Sequence, residues 1–145
     1  MKKLKIPDVL RRNSRSGEGY VDTVVGVLCF CLLLVFIINC FSLLTAKMNM
    51  DHYAKELLKT ATVEGRTSGT AITNRQTQLR AETGITPNTT TWTAEYFNAS
   101  QRTVQYGQKI ELRITYRTEF KGFGIFSIPV TMTSTHSGLS QRYWK

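Results

Sequence analysis

Val24–Ala46, VVGVLCFCLLLVFIINCFSLLTA, is 23 residues without a formal charge, and no other stretch limits the fold as strongly. A bilayer core asks for about 20 consecutive apolar residues in a helix. Fifteen of these 23 are Val, Leu, Ile or Phe. On the insertion scale their gross gain is roughly −5 to −9 kcal/mol, which outweighs Asn39 and a few hydroxyls. A buried helix of a soluble domain would need comparably apolar sequence around it, and the remainder of the 145 residues does not supply it. The run is expected to cross a membrane, which leaves room for one small domain.

A secretory signal would have an apolar region of about 7–15 residues and then a cleavage site of small residues. This run is longer and passes directly into amphipathic sequence, so it is expected to remain in the mature protein. Lys2, Lys3, Lys5, Arg11, Arg12 and Arg15 precede it, and only Lys47 follows immediately. The positive-inside bias then predicts a single-pass cell membrane protein, N-terminus cytoplasmic and C-terminal domain extracytoplasmic.

The same distribution bears on nucleic acid. With Asp8, the first 17 residues carry a net +5 of the chain's formal +9. The remaining charges alternate in sign as on an ordinary solvated surface, which argues against a dedicated nucleic-acid site. Cys29, Cys31 and Cys40 all lie in the apolar run. They can form neither a disulfide framework for the polar region nor a zinc site there, and they read as small apolar packing residues.

Past the membrane the helix is expected to continue. Met50, Tyr53, Ala54, Leu57, Leu58 and Ala61 keep a helical spacing, and Gly65 is the first plausible stop. Val21 to Glu64 is 44 residues without proline, roughly 66 Å at 1.5 Å per residue. A second, shorter helix is predicted over about 71–83, with Ile72, Gln76 and Leu79 on one side and Gly84 closing it. Threonine, aromatics and period-2 patterning follow. TTTWTAEYF at Thr89–Phe97 starts the strands, and KIELRITYRTEF is the clearest of them. In it Ile110, Leu112, Ile114 and Tyr116 alternate with Glu111, Arg113, Thr115 and Arg117, as in a sheet with one covered face. KGFGIF reads as the connection to a third strand, IPVTMTSTHS, with Val130 and Met132 inward. The expected class is α+β: a long N-terminal transmembrane-plus-amphipathic helix, a short second helix, and a small three-stranded antiparallel sheet packed on the helix's outer half. The domain expectation is a basic cytoplasmic leader over 1–17, the long helix over 18–65 with its span at 24–46, and an extracytoplasmic α+β domain over 66–145.

Motifs of catalysis are not found. His52 and His136 have no acid and nucleophile at a suggestive spacing. No phosphate-binding loop, metal motif or cofactor signature occurs. Glu111 and Glu119 stand among Arg113 and Arg117, a cross-strand charge pattern rather than a catalytic carboxylate pair. Asn88-Thr89-Thr90 and Asn98-Ala99-Ser100 satisfy the glycosylation sequon, which arises readily in threonine-rich sequence. Tyr143 and Trp144 could pack back on the sheet or meet a neighbouring subunit.

The junction SRSGEGYVDTVVG, Ser14 to Gly26, adds an acidic feature that a plain anchor does not need. Gly17 and Glu18 follow the basic leader, and Asp22 comes four residues later. This resembles the class III signal of type IV pilin-like proteins. The resemblance implies cleavage after Gly17 by a prepilin peptidase, which makes Asp22 the fifth residue of the new chain. It further implies that Asp22 pairs with the new amine at Glu18 of a neighbouring subunit, attraction in low dielectric favouring one axial register. The layout over residues 12–65 and 108–145 is similar to the Tad-type minor pilins, the TadE-like family. Asp22 stands where glutamate is commoner, Thr23 where an aromatic is frequent, and Glu18 adds a second acid. A plain juxtamembrane acid in the headgroup region is the alternative for Asp22, and a flexible joint the alternative for Gly17 and Gly19. The implied function is a structural subunit of a surface filament or secretion pseudopilus. Its implied partners are the bilayer, the peptidase, copies of itself or sister pilins, and the pilus assembly machinery. Two other expectations stand beside it: an uncleaved single-pass scaffold of an export or conjugation apparatus, and a DNA-binding surface subunit.

Overall fold

The structure, a computed structural model, describes the backbone of residues 15–122 and 126–145 and the side chains of residues 19–120 and 127–145. The leader expected over 1–17 lies outside the described residues as far as residue 14, and the middle of the KGFGIF connection also lies outside them. The first helix, α1, covers Arg15–Glu64. It begins three residues before the expected position 18, so the backbone of Gly17 and Gly19 is helical rather than a joint. The chain divides into two units, Met1–Ile38 and Asn39–Lys145, and α1 contributes to both.

In the outer unit the predicted stripe is the core. Met50, Tyr53, Ala54, Leu57, Leu58 and Ala61 are buried together with Ile110, Leu112 and Ile114. A sheet with one apolar face must bury it against another element, and the helix stripe provides that cover. Each fully buried Leu or Ile contributes about 1.5–3 kcal/mol. The Tyr53 hydroxyl is buried without a hydrogen-bond partner. Burial pushes its pKa upward, and the nearby Arg80 offsets part of that rise although it makes no hydrogen bond of good geometry.

At Gly65 the chain turns left-handed, φ 62°, and the Arg66 N–H bonds the Ala61 carbonyl across the helix end at 3.3 Å, as a glycine-terminated helix does. The second helix, α2, covers Thr70–Thr83, buries Ile72 and Leu79, and is closed by Gly84 at φ 68° with its N–H on the Arg80 carbonyl. Gln76 is half-buried on that side.

Three strands follow: β1 Thr89–Ala94, β2 Lys109–Gly122 and β3 Phe126–Leu139, antiparallel in the order β1-β2-β3. β2 buries Ile110, Leu112 and Ile114 as its alternation predicted, and Tyr116 packs partly against them. β3 is longer than IPVTMTSTHS at both ends. Val130 and Met132 are half-buried as expected, but the inward series continues through Ser134, His136 and Gly138. These residues are small or polar because the helix comes very close. A Cβ added at Gly138 would stand 2.9 Å from Thr62 Cγ2.

Two substitutions test this packing. Leu57→Ala should lower the unfolding free energy of the detergent-solubilised chain by about 2–5 kcal/mol through the cavity it leaves. Gly138→Ala should lower it by about 1–3 kcal/mol through overpacking against Thr62. Thermal melts followed by near-ultraviolet circular dichroism measure both, and an unchanged Gly138→Ala melt would rule out the close approach.

Candidate functional site

Two regions carry chemistry beyond ordinary packing: the bare face of α1 and a polar seam between α1 and β3. Every described residue from Gly19 to Leu34 is exposed, including Val24, Leu28, Phe30 and Leu33. Among the described residues α1 is the one helix long and apolar enough to cross a membrane. Two of its hydroxyls bond back to the helix: Thr23 Oγ1 donates to the Gly19 carbonyl at 2.8 Å and Thr45 Oγ1 to the Phe41 carbonyl at 3.0 Å. Such back-bonding spares these two donors from facing lipid unpaired. Asp22 is exposed within this helix and has no ion-pair partner among the described residues. Gly17 and Glu18 fall in the first turn of α1, and the structure describes no side chain for Glu18.

The seam was not visible in the sequence. Asp51 Oδ1 accepts hydrogen bonds from Lys47 Nζ at 2.9 Å and from Ser134 Oγ at 2.5 Å. Lys47 Nζ also donates to the Thr133 carbonyl at 2.9 Å. His136 presents a buried Nε2 without a hydrogen-bond partner, 3.9 Å from Asp51 Oδ1. Burial pulls the Asp51 pKa up, but the hydrogen bonds from Ser134 and Lys47 and the charges of Lys47 and His136 outweigh it. The net shift is downward. An Asp, a Ser and a His thus meet here, yet Ser134 donates to the carboxylate instead of to His136 and is itself buried. In this arrangement the hydroxyl faces the carboxylate and not the imidazole, so the three act as a clasp between helix and strand rather than as an Asp-His-Ser relay. No group of three His, Cys, Asp or Glu suited to a metal occurs among the described residues.

A second closure lies at the far end of α1. The Gly65 carbonyl accepts from Val104 N at 2.8 Å and from Trp144 Nε1 at 3.1 Å. Gln105 bonds the Trp144 backbone through both its amide nitrogen and its oxygen. The guanidinium groups of Arg66 and Arg142 lie 4.9 and 4.8 Å from the Trp144 ring centre, within cation–π range. Of the two alternatives for this aromatic pair, Trp144 packs back on its own domain, while Tyr143 is exposed.

Residues 27–145 match a family described as a domain of unknown function, DUF4320. The chain belongs to the DUF4320 family. No curated protein and no solved structure matches it. The DUF4320 match starts within the apolar run and includes the seam and the Trp144 closure, whereas Gly17, Glu18 and Asp22 precede it.

Because its folded-state pKa is depressed, Asp51 stabilises the DUF4320 domain fully above the ordinary carboxyl value, about 3.9, and that stability is lost as pH falls through the lower folded-state value. Asp51→Asn should lower stability near neutral pH by about 1–2 kcal/mol and flatten the acid side of the stability profile. Melting temperatures of the full chain in detergent, compared between about pH 3 and pH 7, check both effects.

Proposed function

We infer that the chain is a pilin-like structural subunit of a surface filament or secretion pseudopilus, assembled through its N-terminal apolar helix after peptidase cleavage. One observation carries this reading: the face of α1 from Gly19 to Leu34 is apolar, exposed and interrupted by a single acid, Asp22. Lipid alone can cover the apolar side chains. An acid next to them is costly in hydrocarbon unless it finds a cation. Cleavage after Gly17 would supply one, the amine of Glu18 on a neighbouring subunit. The helix would then exchange lipid for copies of itself or sister pilins, with a cytoplasmic N-terminus and an extracytoplasmic folded unit.

A second reading, an uncleaved single-pass scaffold of an export or conjugation apparatus, is favoured by the course of the backbone. The bond to be cut lies inside the first turn of α1, and a peptidase acting there must first open that turn. Two glycines in the region, Gly17 and Gly19, keep the cost of opening low.

The intact mass of the protein from its native host separates the two. Loss of residues 1–17 is the outcome for the subunit, and a retained leader is the outcome for the scaffold. In the first case Asp22→Asn should leave membrane insertion intact and reduce co-purification with partner subunits.

A further inference from the structure

β3 is an edge strand, and hydrogen bonds fix which of its backbone groups face away from β2. Ser140 N donates to the Gln108 carbonyl at 2.8 Å, so even-numbered positions bond into the ladder. The Thr115 carbonyl turns toward β1, where Asn88 N donates to it at 2.9 Å, and its β3 partner Thr133 therefore faces outward. Lys47 Nζ meets the Thr133 carbonyl on that outer side. Direction alternates along a strand, so Thr131, Thr133, Thr135, Ser137 and Leu139 turn their backbone groups away from the sheet. Pro129 follows the same parity. It stands outward, where no ladder bond needs the N–H it lacks.

α1 follows this edge and closes it at two points. Lys47 caps the Thr133 carbonyl, and the Thr62 carbonyl accepts from Gln141 N at 2.9 Å. Thr133 to Gln141 is eight extended steps, about 26 Å, and Lys47 to Thr62 is fifteen helical steps, about 22 Å. The helix thus runs beside the edge from one closure to the other. Between the closures, the N–H and C=O groups of Thr135, Ser137 and Leu139 have no partner among the described residues. A groove of about 220 Å³ opens there, lined by Lys55 and Lys59 of α1 and by His136, Ser137 and Gly138 of β3.

A bare strand edge is a template for pairing, and proteins usually blunt it with bulges, prolines or charged side chains. The register of β3 is unbroken, and Thr131 to Leu139 contains no proline, lysine, arginine or acid. What flanks the edge is charge of one sign. The acids on this part of α1 are engaged: Asp51 with Lys47, Glu56 with Arg75 and Glu64 with Arg142. Lys55 and Lys59 are exposed, and neither ammonium has an ion-pair or hydrogen-bond partner among the described residues. Like charges four residues apart on a helix repel, and an anion between them relieves that repulsion. A second copy pairing edge to edge would bring the same lysines of both helices to one junction, which disfavours it.

We propose that the edge of β3 between Thr133 and Gln141 is a docking slot for a short extended segment of a partner protein rich in acidic residues. The segment adds a fourth strand through the backbone groups of Thr135, Ser137 and Leu139. Its alternate side chains face α1, and carboxylates among them pair with Lys55 and Lys59. The inference does not depend on cleavage of the leader, since every group in it belongs to the outer unit.

The test titrates the full chain, in a nonionic detergent at low salt, into a fluorescent peptide in which glutamate alternates with valine, and follows anisotropy. Saturable binding is expected, and a peptide with lysine in place of glutamate should not bind. Methylating the peptide's amide nitrogens removes its ladder donors and should abolish binding. Lys55→Gln combined with Lys59→Gln should weaken it about three- to tenfold. Ser137→Pro deletes an outward N–H, as Pro129 already does, so the chain should keep its melting temperature and lose the peptide. No saturable binding of the glutamate peptide would overturn the proposal. Equal binding of the methylated peptide would mean charge attraction alone and would overturn it too, as would undiminished binding by the double lysine variant. Self-association of the chain in sedimentation runs, abolished by Ser137→Pro, would assign the edge to a second copy and also overturn it. Should Ser137→Pro not fold, the methylated peptide tests the same pairing on the native chain.

Discussion

The outer unit depends on one contact: the α1 stripe from Met50 to Ala61 laid against the inner face of β2. Neither side is viable alone. The helix would expose Leu57 and Leu58 to water, and a single layer of three strands would leave Ile110, Leu112 and Ile114 uncovered. Joined, they supply nine of the twelve buried residues of one cluster, and α2 contributes only Ile72 and Leu79 to it. The loops follow from this contact, since Gly65, Val104 and Trp144 close the far end of the same helix.

The two strongest periodicities made most of this legible in advance. A helical stripe at Met50–Ala61 and a strict alternation at Ile110–Arg117 each have a single reading, and the burial follows both. The glycine stops worked for the same reason: Gly65 and Gly84 both take left-handed backbone. The inner face of β3 was legible only at Val130 and Met132. Beyond them Ser134, His136 and Gly138 point inward, and no hydrophobic pattern announces a strand that approaches a helix through small and polar side chains. Asp51 was hidden in the same way. It reads as one of the polar spacers on the helix, and its partner Ser134 is 83 residues away in the chain. Trp144 left two options open because its partner, the Gly65 carbonyl, is a backbone atom that composition does not reveal.

The candidate assembly residues are of another kind. Gly17, Glu18 and Asp22 stand out by their order along the chain, not by any pocket or bond. Asp22 on an exposed helix face has its meaning in what covers that face, lipid or another helix. The seam at Asp51 is the reverse case, with every partner inside one chain and no signature in sequence.

Within the folded unit β3 runs in the same direction as α1, with Thr133 against Lys47 and Gly138 against Thr62, and this has a mechanical side. A tug transmitted along the helix would load the seam from Thr133 to Gly138 in shear, so that the Lys47, Asp51 and Thr62 contacts resist together instead of parting one after another like a zip. A domain built in this way holds its grip best along the axis of its own longest helix.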